Sequence, residues 1–183
     1  MLKLDIPPLN AKDQAGLQAQ QDKVNAQADY AAQVAYAKDS WNDKPRALFN
    51  RLRTQLEAPL SGNSRCAYCE DSLADEIEHM RPKQLFPEQT YQWDNYVLAC
   101  GTCKGSHKRD QFAVLFPNGE LHQLHRPRGS AVIPPPAGQY ALIDPRVDNP
   151  LDFLWLDLDT FRYTANSDDE DSPLADRKST RLN

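Results

Sequence analysis

Two Cys-x-x-Cys pairs, "CAYC" at 66–69 and "CGTC" at 100–103, contain all four cysteines of the chain. Four thiolates make a complete tetrahedral donor set, so Cys66, Cys69, Cys100 and Cys103 are expected to hold one structural Zn2+. Disulfides or redox dithiols fit less well. A reducing compartment disfavours disulfides, and a thioredoxin-like motif has no use for a second pair. With four sulfurs bound the metal has no open position for water, so any chemistry must come from other residues.

The gap between the pairs is about 30 residues, longer than in a compact zinc ribbon, and leaves room for a functional insert. That insert contains "EIEHMRPK" at 76–83. Ile77, flanked by Glu76 and Glu78, predicts a short strand that ends at His79, with Glu78 and His79 on opposite faces. A carboxylate beside an imidazole is chemically useful: Glu78 can bind a hard divalent cation while His79 takes a proton from water. The dipeptide alone is common on surfaces, and its weight comes from its place inside the cysteine frame.

The elements around this frame must position it. At 183 residues, 40% apolar and 26% charged, the chain is long enough for one compact unit with appendages. No apolar run approaches the roughly 20 residues of a membrane span. A Pro-Pro pair breaks "MLKLDIPPLN" before a signal-peptide core forms, so the expected location is cytoplasmic. The net charge of −5 does not point to a nucleic-acid partner, but it is unevenly spread. "RPK" at 81–83 and "KGSHKR" at 104–109 are basic, whereas "SDDEDS" at 167–172 is acidic.

Residues 10–38, rich in Ala, Gln and Lys, predict one long helix with a thin apolar stripe. It is expected to lie on its own domain, with partner docking as the alternative. A second helix is expected to start with Asp43 as cap and Pro45 in its first turn, with Leu48, Leu52, Leu56 and Phe49 on its core face. Beyond the cysteines, "GELHQLH", "YALID" and "DFLWLDLDTFRY" predict strands, and "VIPPPAGQ" an extended connector. His122 and His125 are read as surface or DNA-facing. The last eight residues, "DRKSTRLN", resemble a translated sequencing adapter, so the natural C-terminus is expected to be missing.

In order, "CAYCE", "IEHMRPK", "WDN" and "LACGTC" resemble the HNH endonuclease superfamily, and most closely the HNH nucleases paired with an ATPase in Septu-type and some retron anti-phage systems. The resemblance is close over about residues 64–112, with "LIDPRVDNP" at 142–150 a weaker echo. It implies an α+β fold: a zinc-stapled ββα-metal core at 63–115, an N-terminal helical extension at 1–62, a strand-rich extension at 116–175 and the adapter-like tail at 176–183. By position it makes Glu78 a ligand of a catalytic Mg2+ or Mn2+, His79 the general base and Asn95 the brace of the loop that orients His79. The implied reaction is hydrolysis of DNA phosphodiesters, with Arg81, Lys83, Lys108 and Arg109 contacting the backbone without reading sequence. An ATPase partner is implied, and no membrane.

One position departs from the pattern. Directly after the fourth knuckle cysteine the family carries a metal-binding His or Asn, and this chain has Lys104, which cannot coordinate a cation. Three explanations compete: His107 serves instead, displaced by about 4.5 Å along a helix; water completes the coordination; or Lys104 is a misread Asn codon. A zinc-stapled binding module without catalysis is therefore the rival expectation.

Overall fold

The computed structural model describes residues 3–58, 64–71, 73–160 and 162–165; the adapter-like tail at 176–183 lies outside them. Among the described residues the architecture is mixed α+β, with three α-helices, a π-helix and small antiparallel sheets. Asn10 opens α1 (Ala11–Asn25) by accepting the Asp13 N–H at 3.0 Å. The single helix expected over 10–38 is in fact two. The chain turns after Asn25, and Asp29 caps α2 (Tyr30–Asn42) by accepting the Ala32 N–H at 2.8 Å. Asn and Asp side chains compete for backbone partners and favour such ends over helix interiors.

α3 (Arg46–Glu57) also begins differently from expectation: Pro45 occupies its cap position with no side-chain cap, and Asp43 closes α2. Its core face is the expected one, with Leu48, Phe49, Leu52 and Leu56 all buried. These side chains share one core with Leu17 and Val24 of α1, Trp41 of α2, and Tyr91, Tyr96 and Leu98 of the cysteine-framed segment. The N-terminal helices therefore form the floor under the cysteine frame.

On that floor lies a two-stranded antiparallel sheet, β1 (Glu76–His79) and β2 (Tyr96–Ala99), with Glu78 opposite Val97 and His79 opposite Tyr96. A π-helix, Cys103–Lys108, follows β2. Beside it, β3 (Phe112–Leu115) pairs with β4 (Leu121–Leu124) and β5 (Gln139–Tyr140). β6 (Leu154–Asp157) and β7 (Arg162–Ala165) form a separate hairpin. Of "YALID" only Tyr140 is in a strand; Ala141 makes one more bond to the Ala113 carbonyl at 3.0 Å, and Ile143 is buried on irregular backbone. Gly138 brings the proline connector against β3, where a Cβ would meet the Val114 Cβ at 2.9 Å. No helix among the described residues is long and apolar enough to cross a membrane.

Candidate functional site

The four cysteine sulfurs lie within 4.8 Å of one another. Cys69 Sγ and Cys100 Sγ are 3.9 Å apart, close to the roughly 3.8 Å edge of a tetrahedron with Zn–S bonds of about 2.3 Å. Each knuckle is built by local backbone bonds. Glu70, in the left-handed region at φ 60°, donates its N–H to the Cys66 carbonyl at 2.9 Å, and Ala67 N–H bonds the Leu98 carbonyl at 2.9 Å, fastening the first knuckle to β2. In the second, the Cys103 N–H points at Cys100 Sγ at 3.4 Å and holds that thiol below its ordinary value. Burial pushes Cys69 and Cys103 the other way, so metal binding must displace protons from them. Among the described residues this is the one group of three or more metal-ligating side chains, and its donor set fits Zn2+.

Glu78 and His79, both buried, stand at the end of β1. His79 Nε2 is 3.0 Å from the Thr90 carbonyl, which can only accept, so Nε2 carries the proton and Nδ1 is the basic nitrogen. Burial first, then the charge of Lys83, holds the imidazole well below its ordinary pKa, and it is neutral at pH 7. Its ring packs against Trp41 at 4.2 Å between centroids and against Tyr96 at 5.4 Å. Asn95 is fully buried behind it. Its side chain accepts the Arg81 N–H at 2.7 Å and donates to the carbonyls of Arg81 at 3.0 Å and Gln89 at 2.9 Å. The loop from 81 to 90 is thereby pinned at both ends, and with it the Thr90 carbonyl.

Glu78 Oε1 is 2.8 Å from Lys108 Nζ, and the same ammonium donates to the His79 carbonyl at 2.8 Å. Both side chains are less than 10% exposed. Lys104 Nζ reaches Glu76 at 2.6 Å and the Ile77 carbonyl at 3.2 Å. Glu78, His79, Lys83, Lys104 and Arg109 line a cleft of about 310 Å3. Arg81 lies apart from it, paired with Asp144 at 3.4 Å, and His107 is exposed and off the lining. His122 is exposed on β4, stacked on Phe116, and His125 is also exposed.

The donors in this cleft do not fit a divalent cation as arranged. Its buried carboxylate, Glu78, is neutralised by Lys108, and the Lys83 and Lys104 ammonium groups line the same walls.

Three contributors carry no local signal in the sequence. Trp41 and Lys44 come from the end of α2 and its following turn, and Thr90 acts through its backbone, which residue type cannot reveal. Arg146, inside "LIDPRVDNP", donates to the carbonyls of Trp93 and Tyr96 at 2.8 Å each and so holds the turn that carries Asn95.

Septu protein PtuB of Bacillus thuringiensis is 30% identical to this chain over 71 residues, taking in 34% of this chain. The match extends over 28% of that relative's length, so the chain spans little more than a quarter of it. No family model and no solved structure matches the chain.

Proposed function

We propose that the chain is an HNH-type DNA endonuclease acting in a Septu-like anti-phage system in the cytoplasm, alongside an ATPase partner. The observation that carries the reading is the His79–Thr90–Asn95 relay. A neutral imidazole has its Nε2 proton committed to a backbone carbonyl, and the loop supplying that carbonyl is fixed by three bonds from one buried asparagine. This is what a general base needs: a free lone pair at neutral pH and a fixed direction. The likeness to a Septu protein supports the defence context.

In the proposed reaction His79 Nδ1 takes a proton from water as the water oxygen bonds to phosphorus. The P–O3′ bond breaks, and the 3′ oxygen is protonated from solvent. Lys83, Lys104 and Arg109 face the developing negative charge. The Mg2+ or Mn2+ expected at Glu78 would have to displace Lys108 from its carboxylate, so metal dependence belongs in the test.

A second reading, a zinc-stapled nucleic-acid-binding module, is favoured by the two lysine–glutamate pairs that occupy Glu76 and Glu78. Plasmid cleavage by the purified chain, with Mg2+, with Mn2+ and with neither, separates the two readings. Cleavage lost in His79→Ala with DNA binding retained supports the nuclease. DNA binding without cleavage under all three conditions, and in Lys104→Asn as well, leaves the binding module.

A further inference from the structure

Lys83 stands within electrostatic reach of three other lysines, Lys44, Lys104 and Lys108, and the four divide into two kinds. Lys104 and Lys108 are paired with Glu76 and Glu78. Lys44 and Lys83 are half-buried, and among the described residues neither has a carboxylate within the 4.0 Å of an ion pair. Both instead sit against the same ring: Lys44 Nζ is 4.8 Å and Lys83 Nζ 5.7 Å from the centre of the Trp41 indole. Lys44 is further fixed by donating to the Trp41 carbonyl at 3.1 Å.

Holding two ammonium groups partly out of water without a contact ion pair costs free energy: burial lowers the pKa of both, and the charges of Glu76 near Lys44 and of Glu78 near Lys83 offset that only in part. The indole face offsets a fraction of that cost and fixes where the charges stand. An anion reaching both would recover the remainder. The ring that carries them is packed on His79, so the anion would lie beside the base, at the mouth of the cleft that Lys83 lines. The tryptophan cannot double as a stacking platform for a base, because ammonium groups and the imidazole already cover it. The local chemistry therefore suits the nucleic-acid backbone and not its bases.

We propose that Lys44 and Lys83, set on Trp41, form a clamp for one backbone phosphate of the DNA, so that the end of α2 and the turn after it supply half of a binding subsite beside the base. This rests on the nuclease reading and assigns the N-terminal helices a direct part in it. Each lysine gives one nonbridging oxygen a point charge, which positions the strand without selecting sequence.

The test is binding of a short fluorescent duplex by anisotropy across a salt series, in a His79→Gln chain whose thermal melt is checked against the unsubstituted chain. Lys44→Gln and Lys83→Gln are each expected to weaken binding and to reduce the slope of log K against log salt, and the double variant to reduce it by about 0.9, the value for one lost phosphate contact. Lys44→Arg should restore the slope. Lys38→Gln, exposed on α2, should leave it unchanged. If the parent binds the duplex and Lys44→Gln leaves the slope unaltered, the clamp is overturned while the nuclease reading stands. If the parent binds no duplex, both are overturned.

Discussion

Replacing Asn95 with alanine tests whether the loop from 81 to 90 is held by one side chain. Asn95 is fully buried and makes three side-chain hydrogen bonds, all to backbone groups of Arg81 and Gln89. Alanine leaves the Arg81 N–H and carbonyl without these partners and the Gln89 carbonyl with only the 3.5 Å bond from the Gln92 N–H. At about 1 kcal/mol net per bond the loss is about 3 kcal/mol, and more where water cannot reach the orphaned groups. For a chain of this length that corresponds to a fall in melting temperature of roughly 6–12 °C. The functional consequence follows from the same bonds: a loosened Thr90 carbonyl no longer directs His79, so cleavage should fall by more than DNA affinity does. Asn95→Asp keeps the acceptor for the Arg81 N–H but sets a carboxylate against two carbonyl oxygens, and should be no better than alanine. Urea unfolding of the three proteins, read beside their cleavage rates, decides the matter. A cost for Asn95→Ala below about 1 kcal/mol would show that the loop is held by other contacts, and the relay argument would be wrong.

The purified chain should carry one zinc ion, measured by elemental analysis, and Cys103→Ser or strong chelation should remove the metal and the cooperative melt together; a metal-free chain with an unchanged melt would show that the cysteines do not staple the fold. Because Glu78 and Lys108 are both buried, Glu78→Gln or Lys108→Met alone should cost about 3–5 kcal/mol in urea unfolding, whereas the double variant should cost less than the sum. The Asp13 carboxyl is held below its ordinary value chiefly by the hydrogen bond from Arg51. A depressed folded-state pKa means stability present above the unfolded value of about 3.9 and lost as pH falls through the folded one, so Asp13→Asn should flatten the acid limb of the stability profile below about pH 4.

The parts legible in the sequence are those whose signal is local or chemically exclusive. Four cysteines in two pairs have few other uses, and their sulfurs do converge. Leu48, Leu52 and Leu56 repeat at helical spacing, and the helix buries all three. The break between α1 and α2 was hidden because the composition stays helix-forming throughout, and the decision rests on one capping bond at Asp29. Trp41 and Lys44 were hidden for a different reason: only packing of α2 beneath β1 and β2 brings Trp41, with Lys44 on its ring, against His79. No spacing rule connects residues so far apart. Thr90 takes part through its carbonyl, a group that every residue possesses.

Lys104, the residue that departs from the expected motif, has a structural use that composition alone does not suggest. Successive carbonyls of a strand alternate between its two edges, so those of Ile77 and His79 share one edge of β1. That edge faces away from β2, and an unpaired strand edge is a liability. The π-helix closes it with two lysines: Lys104 donates to the Ile77 carbonyl and Lys108 to the His79 carbonyl. The carboxylates of Glu76 and Glu78, also two residues apart and on one face, receive the same two ammonium groups. The opposite edge is closed by the first zinc knuckle, through Ala67 to the Leu98 carbonyl. Helix, sheet and knuckle are therefore tied by contacts at both edges. The longer turn of a π-helix, with the Arg109 N–H returning to the Lys104 carbonyl at 2.9 Å, is the local geometry in which both lysines make these contacts. An asparagine at 104 has too short a side chain to make both of the lysine's contacts. Gaining a metal ligand there would thus mean giving up an edge bond and an ion pair, which makes Lys104 a working part of this fold as well as a departure from the motif.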